Sequence, residues 1–200
     1  MRELFLPFNS KKAFLCMLAL IGIHLVVAMP FKSWVLVPAF TDIRPASGLL
    51  PVYGVFMGPI GGFATAFANL IEDALTGMLT WGSIAGFVSN LLVPYLYYKL
   101  WYCFFKKPFE VKTGKDFIEY SLLALLLSLM QAAMITGCVY AIGMPVQAGE
   151  LFAAICINNF FFAMLMGLPL IMVLHTQFGY TDFGSKRDRY LMPAHKGRYD

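Results

Sequence analysis

Charge is what this chain of 200 residues has least of: Asp, Glu, Lys and Arg make up 13% of it, against about 25% in an ordinary soluble domain. No polar stretch is long enough to build a separate soluble domain, so one membrane-embedded domain is the expected organisation. Cysteine is also scarce. Cys16, Cys103, Cys138 and Cys156 lie in apolar stretches without paired spacing, which excludes a disulfide framework or a zinc site and leaves them as small packing residues. No glycine-rich phosphate loop, HExxH or GxSxG motif occurs, nor a paired acidic motif of the lipid phosphotransferase kind. The sequence therefore offers no ATPase, no catalytic constellation, no metal-ligand set and no cofactor motif.

What is present is hydrophobic: 60% of the residues, in two blocks over 13–105 and 117–174. Thirteen of the fifteen Lys and Arg residues flank those blocks: Arg2, Lys11 and Lys12; Lys99, Lys106, Lys107, Lys112 and Lys115; Lys186, Arg187, Arg189, Lys196 and Arg198. Basic residues collect on the cytoplasmic side of membrane proteins, so both termini and the central loop are expected inside. The net charge of +4 then reports orientation and not a nucleic-acid partner. The tail is read as an inside anchor that can also meet anionic headgroups. A span needs about 20 apolar residues, and six are expected, at 12–29, 47–58, 60–79, 82–105, 117–143 and 148–175. The first is taken as a retained span and not a cleaved signal, because no small-x-small site follows Ala28-Met29-Pro30. Segment 31–46 reads as an outer loop, and span 2 as short and broken by Pro51 and Gly54. The expected fold is all-α: a six-helix domain over 1–180 with a basic cytoplasmic tail over 181–200.

Several polar residues fall inside these spans. Asn69, Glu72 and Asp73 share one broad helical face by their i, i+3 and i+4 spacing, and ionisable groups within a span face a cavity or a partner. A position at the span end among headgroups is the plainer alternative for the two acids. Gly82, Gly86 and Asn90 recur every fourth residue, a stripe suited to close helix approach. Gln131, Asn158 and Asn159 add amides to the last two spans, and adjacent residues such as the last pair cannot both face one way. His24 is a candidate proton or ligand group, with one structural hydrogen bond as the plainer reading for a lone membrane histidine. Ala13, Cys16, Ala19 and Gly22, small residues at every third position, suggest a ridge for internal packing or for a partner helix. Trp34, Tyr53 and Trp81 read as interfacial anchors or as a stacking face for a planar ligand.

The run Thr41-Asp42-Ile43-Arg44-Pro45, then Leu50-Pro51, Gly58-Pro59-Ile60-Gly61-Gly62 and Asn69-Leu70-Ile71, resembles the substrate-binding S components of energy-coupling factor transporters. Gly77, the Gly82 to Gly86 segment, Ser89-Asn90-Leu91 and the pair Asn158-Asn159 continue the likeness. It is closest in flavour to the riboflavin type, and shares an Arg-bearing start to the second span with the queuosine-precursor type. The resemblance implies a six-helix protein of the cell membrane, without catalytic activity, that binds a vitamin-like molecule from outside. It implies as partners a transmembrane coupling subunit and two cytoplasmic ATPases. It places substrate on Asp42, Arg44, Asn69, Asp73, Asn90, Gln131 and Asn158, and docking on Ala13, Cys16, Ala19 and Gly22, whose spacing departs from the family's Ala-x-x-x-Ala. A membrane sensor or scaffold that binds a partner helix, and a lipid-directed enzyme resting on Glu72 and Asp73, are the alternatives.

Overall fold

The structure, a computed structural model, describes residues 3–37 and 41–185. Arg2, Pro38 and the tail bearing Lys186, Arg187, Arg189, Lys196 and Arg198 lie outside the described residues. A short helix α1 (Leu6–Asn9) precedes α2 (Lys11–Ala28), which a 3-10 turn over Met29–Phe31 prolongs. Strands β1 (Val35–Val37) and β2 (Thr41–Asp42) pair antiparallel with Val35 opposite Asp42. A second 3-10 turn, Pro45–Gly48, enters α3 (Leu49–Met57). Then follow α4 (Pro59–Leu75), α5 (Trp81–Phe105), α6 (Gly114–Ala141) and α7 (Ala148–Phe162). A π turn, Ala163–Gly167, joins α7 to α8 (Leu168–Thr176) without a break.

Among the described residues the regular structure is helical apart from the small hairpin. Three stretches, Lys11–Phe31, Gly114–Ala141 and Ala148–Thr176, are long and apolar enough to cross a membrane. Their outward faces are greasy: Leu15, Leu18 and Val26 on α2, Leu122 and Leu126 on α6, and Ile157 and Leu165 along α7 and the π turn are all exposed. Contiguous apolar surface of that extent suits lipid rather than water. The expected outer loop is in part a β-hairpin, which pairs backbone groups that a bare loop would leave to solvent. The second apolar segment is one unbroken helix. Pro51 sits in its first turn, where its missing N–H has no partner to lose.

Proline shapes two further helices. Pro94 lies inside α5 and cannot donate to the carbonyl four residues back, which belongs to Asn90. The buried Thr65 of α4 fills that gap, its hydroxyl donating to the Asn90 carbonyl at 2.7 Å. Pro169 lies in the first turn of α8, directly after the π turn, where the Ala163 carbonyl accepts from the Tyr120 hydroxyl at 2.8 Å. Gly58 turns α3 into α4 at φ +53°, and a Cβ there would meet the Phe183 ring at 2.6 Å. The chain thus stays packed on the bundle through Phe183, which is fully buried.

Helix ends are capped by short local motifs. At α4, Met78 N–H donates to the Asp73 carbonyl at 2.8 Å and Gly77 N–H to that of Ala74 at 3.4 Å. At α6, Met144 and Gly143 repeat the pattern on Val139 and Tyr140. Gly77 and Gly143 have φ of +69° and +71°, the left-handed closure that satisfies last-turn carbonyls. α5 and α6 start from Thr80 and Thr113, each in a reciprocal capping box with Ser83 and Asp116.

The Ala13, Cys16, Ala19 and Gly22 ridge does not form. Ala13 is buried, Cys16 is half-buried against Met57, and Ala19 and Gly22 are exposed. A three-residue step falls about 60° short of a full helical turn each time, so three steps carry the ridge to the opposite face. The buried stripe of α2 instead runs Ala13, Met17, Leu20, Ile21, His24 and Ala28.

Candidate functional site

One end of the bundle holds a cavity of about 80 Å³, several times the roughly 10–15 Å³ that one water requires on such a measure. α2 contributes His24 and Ala28 to its lining, and the turn after it Lys32. The hairpin strand and its exit supply Asp42 and Arg44, and α4 supplies Asn69, Glu72 and Asp73. Thr80, Ser83, Gly86 and Asn90 come from the start of α5, Gln131 from α6 and Asn159 from α7. Apolar side chains complete the wall, among them Leu50, Ile135, Val139, Leu151 and Ile155.

Two polar networks meet there. The first is ionic. Asp42 and Arg44 alternate along extended chain and so fall on one side, with Arg44 Nε on Asp42 Oδ1 at 2.8 Å. Arg44 Nη1 donates to Asn69 Oδ1 at 3.0 Å, and Asn69 Nδ2 to Asp73 Oδ2 at 3.3 Å. The Lys32 ammonium lies 3.3 Å from Glu72, 3.4 Å from Asp42 and 3.7 Å from Asp73. His24 Nε2 is 3.2 Å from the other Glu72 oxygen. The carboxylates of Asp42, Glu72 and Asp73 are buried; Arg44, with 27% of its side chain exposed, is the most open charge of the group.

The second network is a chain of amides running one way. Asn159 Nδ2 donates to Gln131 Oε1 at 2.9 Å, Gln131 Nε2 to Asn90 Oδ1 at 3.1 Å, and Asn90 Nδ2 to the Gly86 carbonyl at 2.8 Å. At the other end Asn158 Nδ2 reaches Asn159 Oδ1 at 3.5 Å, and Asn158 Oδ1 accepts from the Arg44 backbone N–H at 3.1 Å. Arg44 therefore ties the ionic group to the amide chain. Gly86 makes room for this: a Cβ there would lie 3.1 Å from Asn69 Nδ2.

Of the seven residues expected to touch substrate, Asp42, Arg44, Asn69, Asp73, Asn90 and Gln131 line the cavity. Asn158 does not; it braces Arg44, and its neighbour Asn159 takes the lining position. One residue of helical rotation, about 100°, decides which of the pair faces inward, and the sequence leaves that phase open. Glu72 and Asp73 are buried at 3% and 8% exposure rather than set among headgroups. Lys32 was not expected in the site; His24 was a candidate proton or ligand group, behind the plainer reading of one structural hydrogen bond. His24 and Ala28 share a face of α2 at a step of four, and the 3-10 turn carries Lys32 back to the same cavity. Trp34 and Trp81 are exposed, and the buried Tyr53 donates its hydroxyl to the Leu20 carbonyl at 3.0 Å. None of these three rings lines the cavity, so the expected stacking face is absent from its wall. Among the described residues no group of His, Cys, Asp and Glu is placed to hold a metal ion; the ammonium of Lys32 sits among the carboxylates instead.

No protein-family description matches the chain, and neither a curated protein nor a solved structure matches it.

Proposed function

We propose that this protein is the substrate-binding S component of an energy-coupling factor importer, holding a vitamin-like solute for ATP-driven uptake by a coupling subunit and two ATPases. On this reading the chain crosses the cell membrane six times, its termini and the loop after α5 face the cytoplasm, and the cavity opens outward. The observation that carries it is the convergence of polar side chains from seven separate segments on one cavity inside an otherwise apolar bundle. A buried polar wall is costly to maintain unless its groups are paired, and it discriminates strongly because a wrong ligand leaves them unpaired. The distribution of charge supports the orientation: Lys32 and Arg44 stand at the cavity, while Lys11, Lys12, Lys99, Lys106, Lys107, Lys112 and Lys115 flank the helix ends expected inside.

The test is uptake. Cells producing the chain with a coupling subunit and its ATPases should accumulate one labelled vitamin or precursor, and Gln131→Leu should abolish accumulation while the protein still reaches the membrane. Gln131 links Asn90 to Asn159, so leucine unpairs both. Accumulation that never depends on the chain, or is untouched by Gln131→Leu, refutes the proposal.

A further inference from the structure

The charges lining the cavity do not balance. Lys32 and Arg44 bring two positive charges, and Asp42, Glu72 and Asp73 bring three negative ones. Among the described residues no other Asp, Glu, Lys or Arg lines it: α5, α6 and α7 present only Thr80, Ser83 and amides as polar groups. One negative charge is left over. An uncompensated charge in a buried site is expensive, so the site favours whatever brings one positive charge. A cationic ligand does so.

Two further observations point to a ligand. The cavity is large enough for several water-sized groups, and His24, at 5% exposure, lines it with an Nδ1 that has no hydrogen-bond partner among the described residues. The amide chain indicates the ligand's shape. Asn90, Gln131 and Asn159 each commit one N–H to the chain and retain a second, which calls for an acceptor atom on the ligand, and each side-chain oxygen keeps a lone pair for a ligand N–H. Ile135, Val139, Leu151 and Ile155 add an apolar flank. Arg44 already holds Asp42 and Asn69 through two of its five N–H donors, and an anionic ligand would add a further negative charge beside the three carboxylates.

We infer that the cavity takes a small planar monocation that carries both N–H donors and an acceptor atom, of the protonated amino-heterocycle kind, and that His24 Nδ1 accepts one of those N–H groups. This rests on the reading of the cavity as a solute site and names the class of solute.

Guanidinium, urea and acetate are near-isosteric Y-shaped probes carrying charges of about +1, 0 and −1. Each is added at 20 mM, with ionic strength matched by sodium chloride, to the full chain in detergent, and melting is followed at pH 7.5. Guanidinium should raise the melting temperature; urea and acetate should not raise it. Asp73→Asn should lose the response. An equal shift for all three probes, or none for guanidinium, overturns the cation preference. A full guanidinium response in Asp73→Asn overturns the carboxylate cluster as the seat of the cation. The wild-type comparison of the three probes stands even where a variant does not fold. Guanidinium binding without any chain-dependent vitamin uptake would retain the cation site and remove the transport reading, and uptake of an uncharged vitamin with no guanidinium response would do the reverse.

Discussion

Replacing Thr65 by valine deletes one hydroxyl from a fully buried position and keeps its shape, so its effect isolates a single hydrogen bond. Pro94 deprives the Asn90 carbonyl of its helical donor, and Thr65 supplies the substitute at 2.7 Å, with the Gly62 and Gly61 carbonyls farther off at 3.0 and 3.2 Å. Valine leaves a buried carbonyl without a donor, at a cost of about 1–3 kcal/mol. For a chain of this size that corresponds to about 2–4 °C of melting temperature per kcal/mol. The reasoning has a sharper consequence. Pro94→Ala restores the missing N–H, so it should be less harmful, or even beneficial, in the Thr65→Val background than in the parent. A double-mutant cycle on the protein in detergent, read by thermal melting, should give a coupling of about 1 kcal/mol or more. A silent Thr65→Val, or two substitutions that simply add, would refute the assignment of Thr65 as the stand-in for the proline's absent donor.

Lys32→Met should destabilise by about 3–5 kcal/mol, because it leaves three buried carboxylates with Arg44 as the one Lys or Arg of the described residues still among them and takes the ammonium from Glu72; adding Glu72→Gln should recover part of the loss, and equilibrium unfolding measures both. Gly54→Ala puts a Cβ 2.2 Å from the Pro94 carbonyl oxygen and should cost about 1–3 kcal/mol by overpacking. Gly22→Ala, where a Cβ meets nothing within 4 Å, should instead stabilise α2 by roughly 0.5–1 kcal/mol, and paired melting curves separate the two. Hydrogen bonds to the carboxylates of Asp116 and then Glu119 raise the Lys107 ammonium above its ordinary 10.5. Its contribution is therefore full below pH 10.5 and fades as pH climbs through the raised folded value. Lys107→Met should flatten the alkaline limb of melting temperature against pH, and an unchanged limb would remove Lys107 from the account.

The helices were largely legible because apolar runs and proline punctuation act locally. Pro30, Gly58-Pro59 and Met144-Pro145 all mark real ends. The common face of Asn69, Glu72 and Asp73 followed from helical spacing, and burial of the acids agrees with the cost of exposing charge to lipid. What sequence could not give was phase and reach. The choice between Asn158 and Asn159 turns on helix rotation, set here by packing of α7 against α6 and the hairpin. Lys32 was read as a loop charge because nothing local announces that its chain returns into the bundle toward Asp42, Glu72 and Asp73. The small-residue ridge on α2 failed for a reason that sequence does contain, since a three-residue period cannot stay on one face over nine residues. Thr65 was overlooked on the same footing: Pro94 marks the Asn90 carbonyl as needing a donor, but only tertiary packing shows which residue provides it.

The central claim is that this cavity binds a solute. The most direct measurement is melting of the purified protein in detergent against riboflavin, thiamin, biotin, deazaguanine bases and related precursors, with Gln131→Leu run alongside. A ligand at a hundred times its dissociation constant stabilises by about 2.7 kcal/mol. The account predicts one compound that shifts the parent strongly and leaves Gln131→Leu unmoved. A compound that shifts parent and variant alike, or a panel that shifts neither, would contradict it and favour a membrane protein whose partner is another helix.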